Sequence, residues 1–148
     1  MPAITVRPVG LAHTPYRDAA EAPIQGRFRP ETRGEIEIFE EFAAALADVE
    51  GFSHLTLLYY FHQAEGEPLT VKPYLDDVER GVFATRSPER PNRLGLTTVR
   101  LLERHGNVLL VSGVDMLDGT PVLDVKPYIP AFDAECAEVK TGWLGDKA

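Results

Sequence analysis

Three arginines fall within one short proline-rich segment, Thr85 to Gly95: Arg86, Arg90 and Arg93, interleaved with Pro88, Pro91 and Asn92. Proline fixes φ, so guanidiniums on such a loop are held in place before a ligand arrives. A guanidinium fork matches a carboxylate or a phosphate bidentately. The same composition also suits a surface turn with solvated arginines, and the residues alone leave both possibilities open. A second segment runs from Asp115 through Asp118-Gly119-Thr120-Pro121 to Asp124-Val125-Lys126-Pro127-Tyr128. Its three carboxylates could hold ribose hydroxyls or accept a proton. Asp-Gly-Thr-Pro is equally a strong turn signal, which competes for Asp118; for Asp115, at a strand end, the two readings are even. Third is Phe61-His62-Gln63, closing an aromatic run. Strand ends are where barrels place ligand groups, although a lone histidine there also serves as packing.

Other chemistries lack their residues. No Gly-x-Gly-x-x-Gly follows a strand and no Gly-x-x-x-x-Gly-Lys occurs, which argues against a Rossmann site or a phosphate-binding P-loop. Ser87 and Ser112 lack a nucleophile-elbow setting. Four scattered histidines, of which His13, His54 and His105 have no evident partner, and the single Cys136 offer no metal centre and no intrachain disulfide. No apolar run approaches the roughly 20 residues that span a bilayer, and the start of the chain lacks the apolar core of a signal peptide. A cytoplasmic protein with no membrane contact is expected.

The elements that must position these residues are short. The chain of 148 residues is 44% apolar and 26% charged, enough for one self-sufficient core, and carries twelve prolines and twelve glycines that cut it into pieces. Residues 3–11 alternate as a strand, and 12–33 form a loop long enough to be functional. Glu35 to Phe39 alternates with period two. Glu40 to Val49 predicts the one helix, with Phe42, Leu46 and Val49 on one face and Gly51 as its stop. Residues 52–61 read as a buried strand and 82–85 as a short one. Residues 96–104 and 107–114 pair through a turn at His105-Gly106, and 122–125 is the last strand. The expectation is a mainly β fold: a small closed or partly closed barrel with one or two short helices and long Pro/Gly loops, spanning 1–135. A polar tail, 136–148, is anchored by Trp143. Val-Lys-Pro-Tyr occurs twice, at 71–74 and 125–128, in unrelated surroundings.

Taken in order, several stretches resemble the TsaA-like (TrmO-type) family of S-adenosyl-L-methionine (SAM)-dependent tRNA methyltransferases. They are Ile4 to Tyr16, Gly51 to Leu55, Tyr60-Phe61-His62-Gln63, Gly81 to Asn92, and Asp115 to Pro130. The Thr-Arg-Ser…Arg-Pro-Asn and Asp-Gly-Thr-Pro…Asp-x-Lys-Pro-Tyr pair is the most specific part. The resemblance covers residues 4–132 and implies a small β-barrel working as a homodimer, with SAM near the subunit interface. It implies that SAM is held by Pro23, Ile24, Gln25 and Gly26, by His62 and Gln63, by Arg86, by Leu96, and by Ser112, Gly113, Val114 and Asp115. Arg90, Asn92, Arg93, Lys126 and Tyr128 are its implied substrate-side residues, with Asp124 also matching the motif. Family members usually read Arg-Pro-Asn-Pro-Ile-Gly where this chain has Arg90-Pro91-Asn92-Arg93-Leu94-Gly95. Longer bacterial members carry a further C-terminal segment, so the chain looks like a short form.

The implied reaction is methylation of the exocyclic amine of a threonylcarbamoyl-modified adenosine beside the anticodon of tRNA, with Asp115 or Asp118 as the catalytic proton acceptor. Alternatives are SAM-dependent methylation of a small molecule or another RNA, a non-catalytic SAM-binding regulator, and a plain structural β domain. Charge bears on the partner. The net charge of −8 disfavours indiscriminate binding to phosphate polymers, yet residues 80–104 hold six arginines against two glutamates. One local basic face is therefore available for tRNA.

Overall fold

The structure, a computed structural model, describes residues 1–23, 25–145 and 147. Six strands close into an antiparallel barrel: β1 (Gly10–His13), β2 (Arg33–Ile38), β3 (His54–Tyr60), β6 (Leu94–His105), β7 (Val108–Ser112) and β8 (Pro121–Pro127). Their order around the barrel is β1-β2-β7-β6-β3-β8, and β8 pairs back onto β1. Outside it, β4 (Thr70–Val71) pairs with β5 (Arg80–Gly81), and a short helix, α1, covers Pro130–Asp133. The expected mainly β barrel is what forms. Among the described residues no helix is long and apolar enough to cross a membrane.

Alternation decides which side chains fill the barrel. Period two turns Ile36 and Ile38 of β2, Leu55, Leu57 and Tyr59 of β3, Val99 of β6, Leu109 and Val111 of β7, and Val122 of β8 inward, all buried. On β3 the apolar run is half-buried rather than fully buried, because His54, Thr56, Leu58 and Tyr60 face out. The β6–β7 hairpin turns at Gly106, whose φ of 62° suits glycine. Asn107 stitches that turn to β2 through its side-chain bond to the Ile38 carbonyl at 2.6 Å.

Three expected elements differ. The segment 40–49 is not an α-helix but a run of 3-10 turns, Glu40–Leu46 and Val49–Gly51, broken by Asp48 at φ 72°. So short a segment gains little from α-helical cooperativity, and tight turns suit a plug across a narrow barrel mouth. The predicted face survives: Leu46 is buried, and Phe42 and Val49 pack on the core. The strand expected over 3–11 begins only at Gly10; Pro2 and Pro8 supply no amide donor, and pairing starts with the Val9 amide on the Val122 carbonyl. The strand expected at 82–85 is a 3-10 turn, Val82–Ala84, with the pairing shifted to Arg80–Gly81. The Thr85 amide and hydroxyl both bond the Val82 carbonyl, which curls the backbone out of any ladder.

The plug at 40–51 closes one end of the barrel. The loops 14–32 and 113–120 cover the other.

Candidate functional site

At that second end Asp115 is 8% exposed and ties three elements together. Its Oδ1 accepts from the Thr97 hydroxyl of β6 at 2.6 Å and the Tyr59 hydroxyl of β3 at 3.2 Å. Its Oδ2 accepts from the Gly26 amide in the β1–β2 loop at 2.9 Å. The Tyr59 and Thr97 hydroxyls are themselves 2.9 Å apart. Burial raises the Asp115 pKa, and the Thr97, Gly26 and Tyr59 donors work against that rise. Burial also pushes the Tyr59 phenol up, with the Asp115 charge adding to it, so Tyr59 stays a donor at neutral pH.

Gly26 has to be glycine. A Cβ there would run into the Gly113 carbonyl, so only the bare backbone brings the loop close enough to give Asp115 its amide. Gly113 in turn donates its amide to the Thr32 carbonyl at 2.8 Å, and the Tyr16 hydroxyl bonds the Thr32 hydroxyl at 2.9 Å. Two sequence-distant loops are thus locked into one floor.

Around this floor stand most of the expected residues. Arg86, exposed, reaches the Gln25 side-chain oxygen at 3.5 Å and has no carboxylate partner among the described residues. Ser112, Gly113 and Val114 run buried into Asp115, and Pro23 is half-buried before Gln25. His62 sits over the Asp118 loop, its Nδ1 3.5 Å from the Thr120 hydroxyl, with Gln63 exposed beside it. Leu96 occupies the same end but faces outward, 43% exposed, while its neighbour Thr97 points in. Ile24 lies outside the described residues.

Asp118 behaves differently from Asp115. It is exposed on the turn after Met116, and its Oδ1 accepts the Thr14 amide at 3.0 Å. Its own amide bonds the Tyr16 carbonyl at 2.7 Å.

The basic loop is partly spent on itself. One Arg90 nitrogen donates to the Thr85 carbonyl at 2.8 Å and the Ser87 carbonyl at 3.3 Å, bracketing Arg86. Arg93 donates to the Gly66 carbonyl at 3.1 Å and the Tyr60 hydroxyl at 2.9 Å. The Asn92 amide meets Glu67 at 3.1 Å. Lys126 and Tyr128 are not brought to this end. Lys126 pairs with Asp124 at 3.0 Å on the outer face, and Tyr128 meets His54 edge-on at the far end of β8, about 23 Å along the strand from Pro121 at 3.3 Å per residue.

The sequence model of the tRNA-methyltransferase O N-terminal domain family matches residues 11–134. The chain belongs to that family. A probable S-adenosyl-L-methionine-binding protein of Pyrococcus abyssi is 48% identical over 141 residues, covering 95% of this chain and 76% of that one. The tRNA (adenine(37)-N6)-methyltransferase of Mus musculus is 44% identical over 104 residues, 66% of this chain and 23% of the mouse protein. The crystal structure of TrmO from Pseudomonas aeruginosa superimposes with a TM-score of 0.80 at 38% identity, over 95% of this chain and 62% of that chain. This chain therefore spans less than two thirds of that solved protein.

Membership makes one departure structural. Arg93, where the resemblance implies a proline, takes φ 48°, and Asn92 before it takes φ 64°. A proline ring holds φ near −65°, so this turn is closed to the usual residue. Sequence reasoning missed Thr97 and Tyr59 as partners of Asp115. A polar residue at an inward position of a strand, as Thr97 is between Gly95 and Val99, was the available signal.

Proposed function

We propose that the chain is a SAM-dependent methyltransferase acting on the exocyclic amine of an adenosine of tRNA, next to the anticodon and threonylcarbamoyl-modified. The observation that carries this reading is the Asp115-locked floor with Arg86 at its edge, which has no carboxylate partner among the described residues. The donor set fits the cofactor. Arg86 offers a fork for its carboxylate, and Gln25, His62 and the 112–115 backbone offer neutral polar groups for its nucleoside end. Bound there, SAM supplies an electrophilic methyl group on a sulfonium. The protein contributes alignment, worth several kcal/mol of barrier in favourable cases. Asp115, saturated by its three donors, keeps the loop carrying Gln25 in place. Asp118, exposed and engaged through one oxygen, accepts the proton that the amine must shed. Family membership and the mouse tRNA methyltransferase support the tRNA substrate, and the Pyrococcus SAM-binding relative supports the cofactor. A tRNA substrate also supports the expectation of a cytoplasmic protein.

The same reading includes a homodimer. On the outer wall of the barrel, Leu94 and Leu96 are 49% and 43% exposed and pair across to the half-buried Tyr60 and Leu58, a contiguous apolar strip.

A second reading keeps SAM but takes a smaller acceptor or another RNA. It is favoured by Arg90 and Arg93, whose guanidiniums are occupied by carbonyls and a phenol rather than free for phosphates. Methyl transfer from labelled SAM to bulk tRNA, followed by mass spectrometry of its nucleosides, separates the two. The tRNA reading expects label in a methylated adenosine, lost in Arg86→Ala together with SAM binding. Asp118→Asn retains SAM binding, since its amide oxygen still accepts from Thr14, but loses most turnover. Label-free tRNA with intact SAM binding would reject the tRNA substrate, and a fully active Asp118→Asn would remove that carboxylate from the chemistry.

A further inference from the structure

The tail does more than cover apolar surface. Trp143, in the turn Gly142–Leu144, donates its indole Nε1–H to the Ala84 carbonyl at 2.8 Å. Ala84 ends the 3-10 turn that leads into Thr85-Arg86. Two cations approach the indole ring: the Arg80 guanidinium carbon is 5.7 Å from its centroid and the Lys147 ammonium 6.0 Å. Both cations converge on one carboxylate, Asp76, whose side chain is 5% exposed; Arg80 binds it at 2.6 Å and Lys147 at 3.6 Å. The root of the Arg86 loop is thus gripped from outside by the tail, while Arg90 braces the loop from within through the Thr85 and Ser87 carbonyls. The family match ends at residue 134, before this contact begins.

We infer that Trp143 is a positioning residue: its bond to Ala84, clamped by Arg80, Asp76 and Lys147, straps the tail across the 82–90 loop and holds Arg86 at the rim of the site. The inference rests on the reading of Arg86 as a cofactor-holding side chain. An unstrapped loop must be ordered by the ligand, and that ordering weakens binding without changing the chemistry that follows.

The test uses the full chain and two variants. Trp143→Phe keeps a ring beside the cations and removes the donor; Trp143→Ala removes both. Amide hydrogen exchange reports the order of residues 85–90, calorimetry reports SAM affinity, and steady-state kinetics separate KM from kcat. The expected result for Trp143→Phe is faster exchange confined to this loop, an unchanged thermal midpoint, SAM bound about threefold to tenfold more weakly, and an unchanged kcat. Trp143→Ala exceeds it in every loop readout. Unchanged loop exchange in both variants overturns the strap. Faster exchange with unaltered SAM affinity overturns the positioning role and leaves an ordinary packing contact. If the wild-type chain binds no SAM, the cofactor reading falls, and loop exchange alone then decides whether the tail orders the loop.

Discussion

Asp115 carries a charge into the end of a barrel whose burial disfavours it, and three donors hold it there. Its native pKa is raised, so the native state keeps a proton that the unfolded chain, at about 3.9, gives up first. Stability therefore falls as pH rises through that interval, by at most about 1.4 kcal/mol per pH unit, and levels off above the native value. Asp115→Asn abolishes this slope. Denaturant unfolding of both proteins across the acid range checks it; parallel curves would contradict the assignment. Gly26 is the complementary residue. Gly26→Ala drives a methyl group into the Gly113 carbonyl and pulls the amide away from Asp115. Leaving a buried carboxylate short of a donor costs about 1–3 kcal/mol, which thermal unfolding would register together with weakened SAM binding.

Among the elements, the loops carry most of the specificity and the strands only their placement. The 82–93 loop has no ladder of its own and depends on Arg90 within it and on the tail outside it. That dependence has a pH signature. The hydrogen bond from Arg80 holds the Asp76 carboxyl below its usual range, with Lys147 adding attraction and burial opposing. A lowered native value means that the contribution is complete above the unfolded value and is lost as pH falls through the native one. Protonation at a pH below the usual carboxylate range should loosen both cations from Asp76 and then from the indole. Trp143 is the single tryptophan, so its fluorescence reports this directly. We expect an acid transition in emission before global unfolding, absent in Asp76→Asn, which has no carboxyl to protonate. A tryptophan signal that changes only with global unfolding would contradict it.

On the scale of the whole molecule, the outer apolar strip of β3 and β6 accounts for the proposed dimer, because continuous exposed leucines on a monomer invite a partner. Leu94→Lys places a charge at the centre of that strip while leaving the inward face untouched. Sedimentation should show a dimer for the wild-type chain and a monomer for the variant. A wild-type monomer at micromolar concentration would exclude the homodimer.

Period-two alternation announced β2, aromatic and apolar content β3, and the His105-Gly106 turn the pair β6 and β7, because a one-sided burial requirement and a tight turn both write themselves into adjacent residues. Local turn chemistry likewise marked Gly106 and the Asp118-Gly119 turn. The short 3-10 plug escaped, since apolar residues spaced by three and four serve either helix type, and the break at Asp48 leaves each run too short for an α-helix to be favoured. The motif stretches, read as a family resemblance, named Gly26, Arg86 and Asp115. They did not say that Thr97, Tyr59 and the Gly26 amide would meet on one carboxylate, that Arg90 and Arg93 would turn their charges onto backbone carbonyls and Tyr60, or that Lys126 and Tyr128 would stand at the far end. The sequence by itself determined most of the barrel strands, the tight turns and the chemical kinds of residue available to the site. Tertiary structure alone decided which of those residues share it, because hydrogen bonds between positions as distant as Thr14 and Asp118, 104 residues apart, depend on barrel closure and on register, which no local pattern encodes.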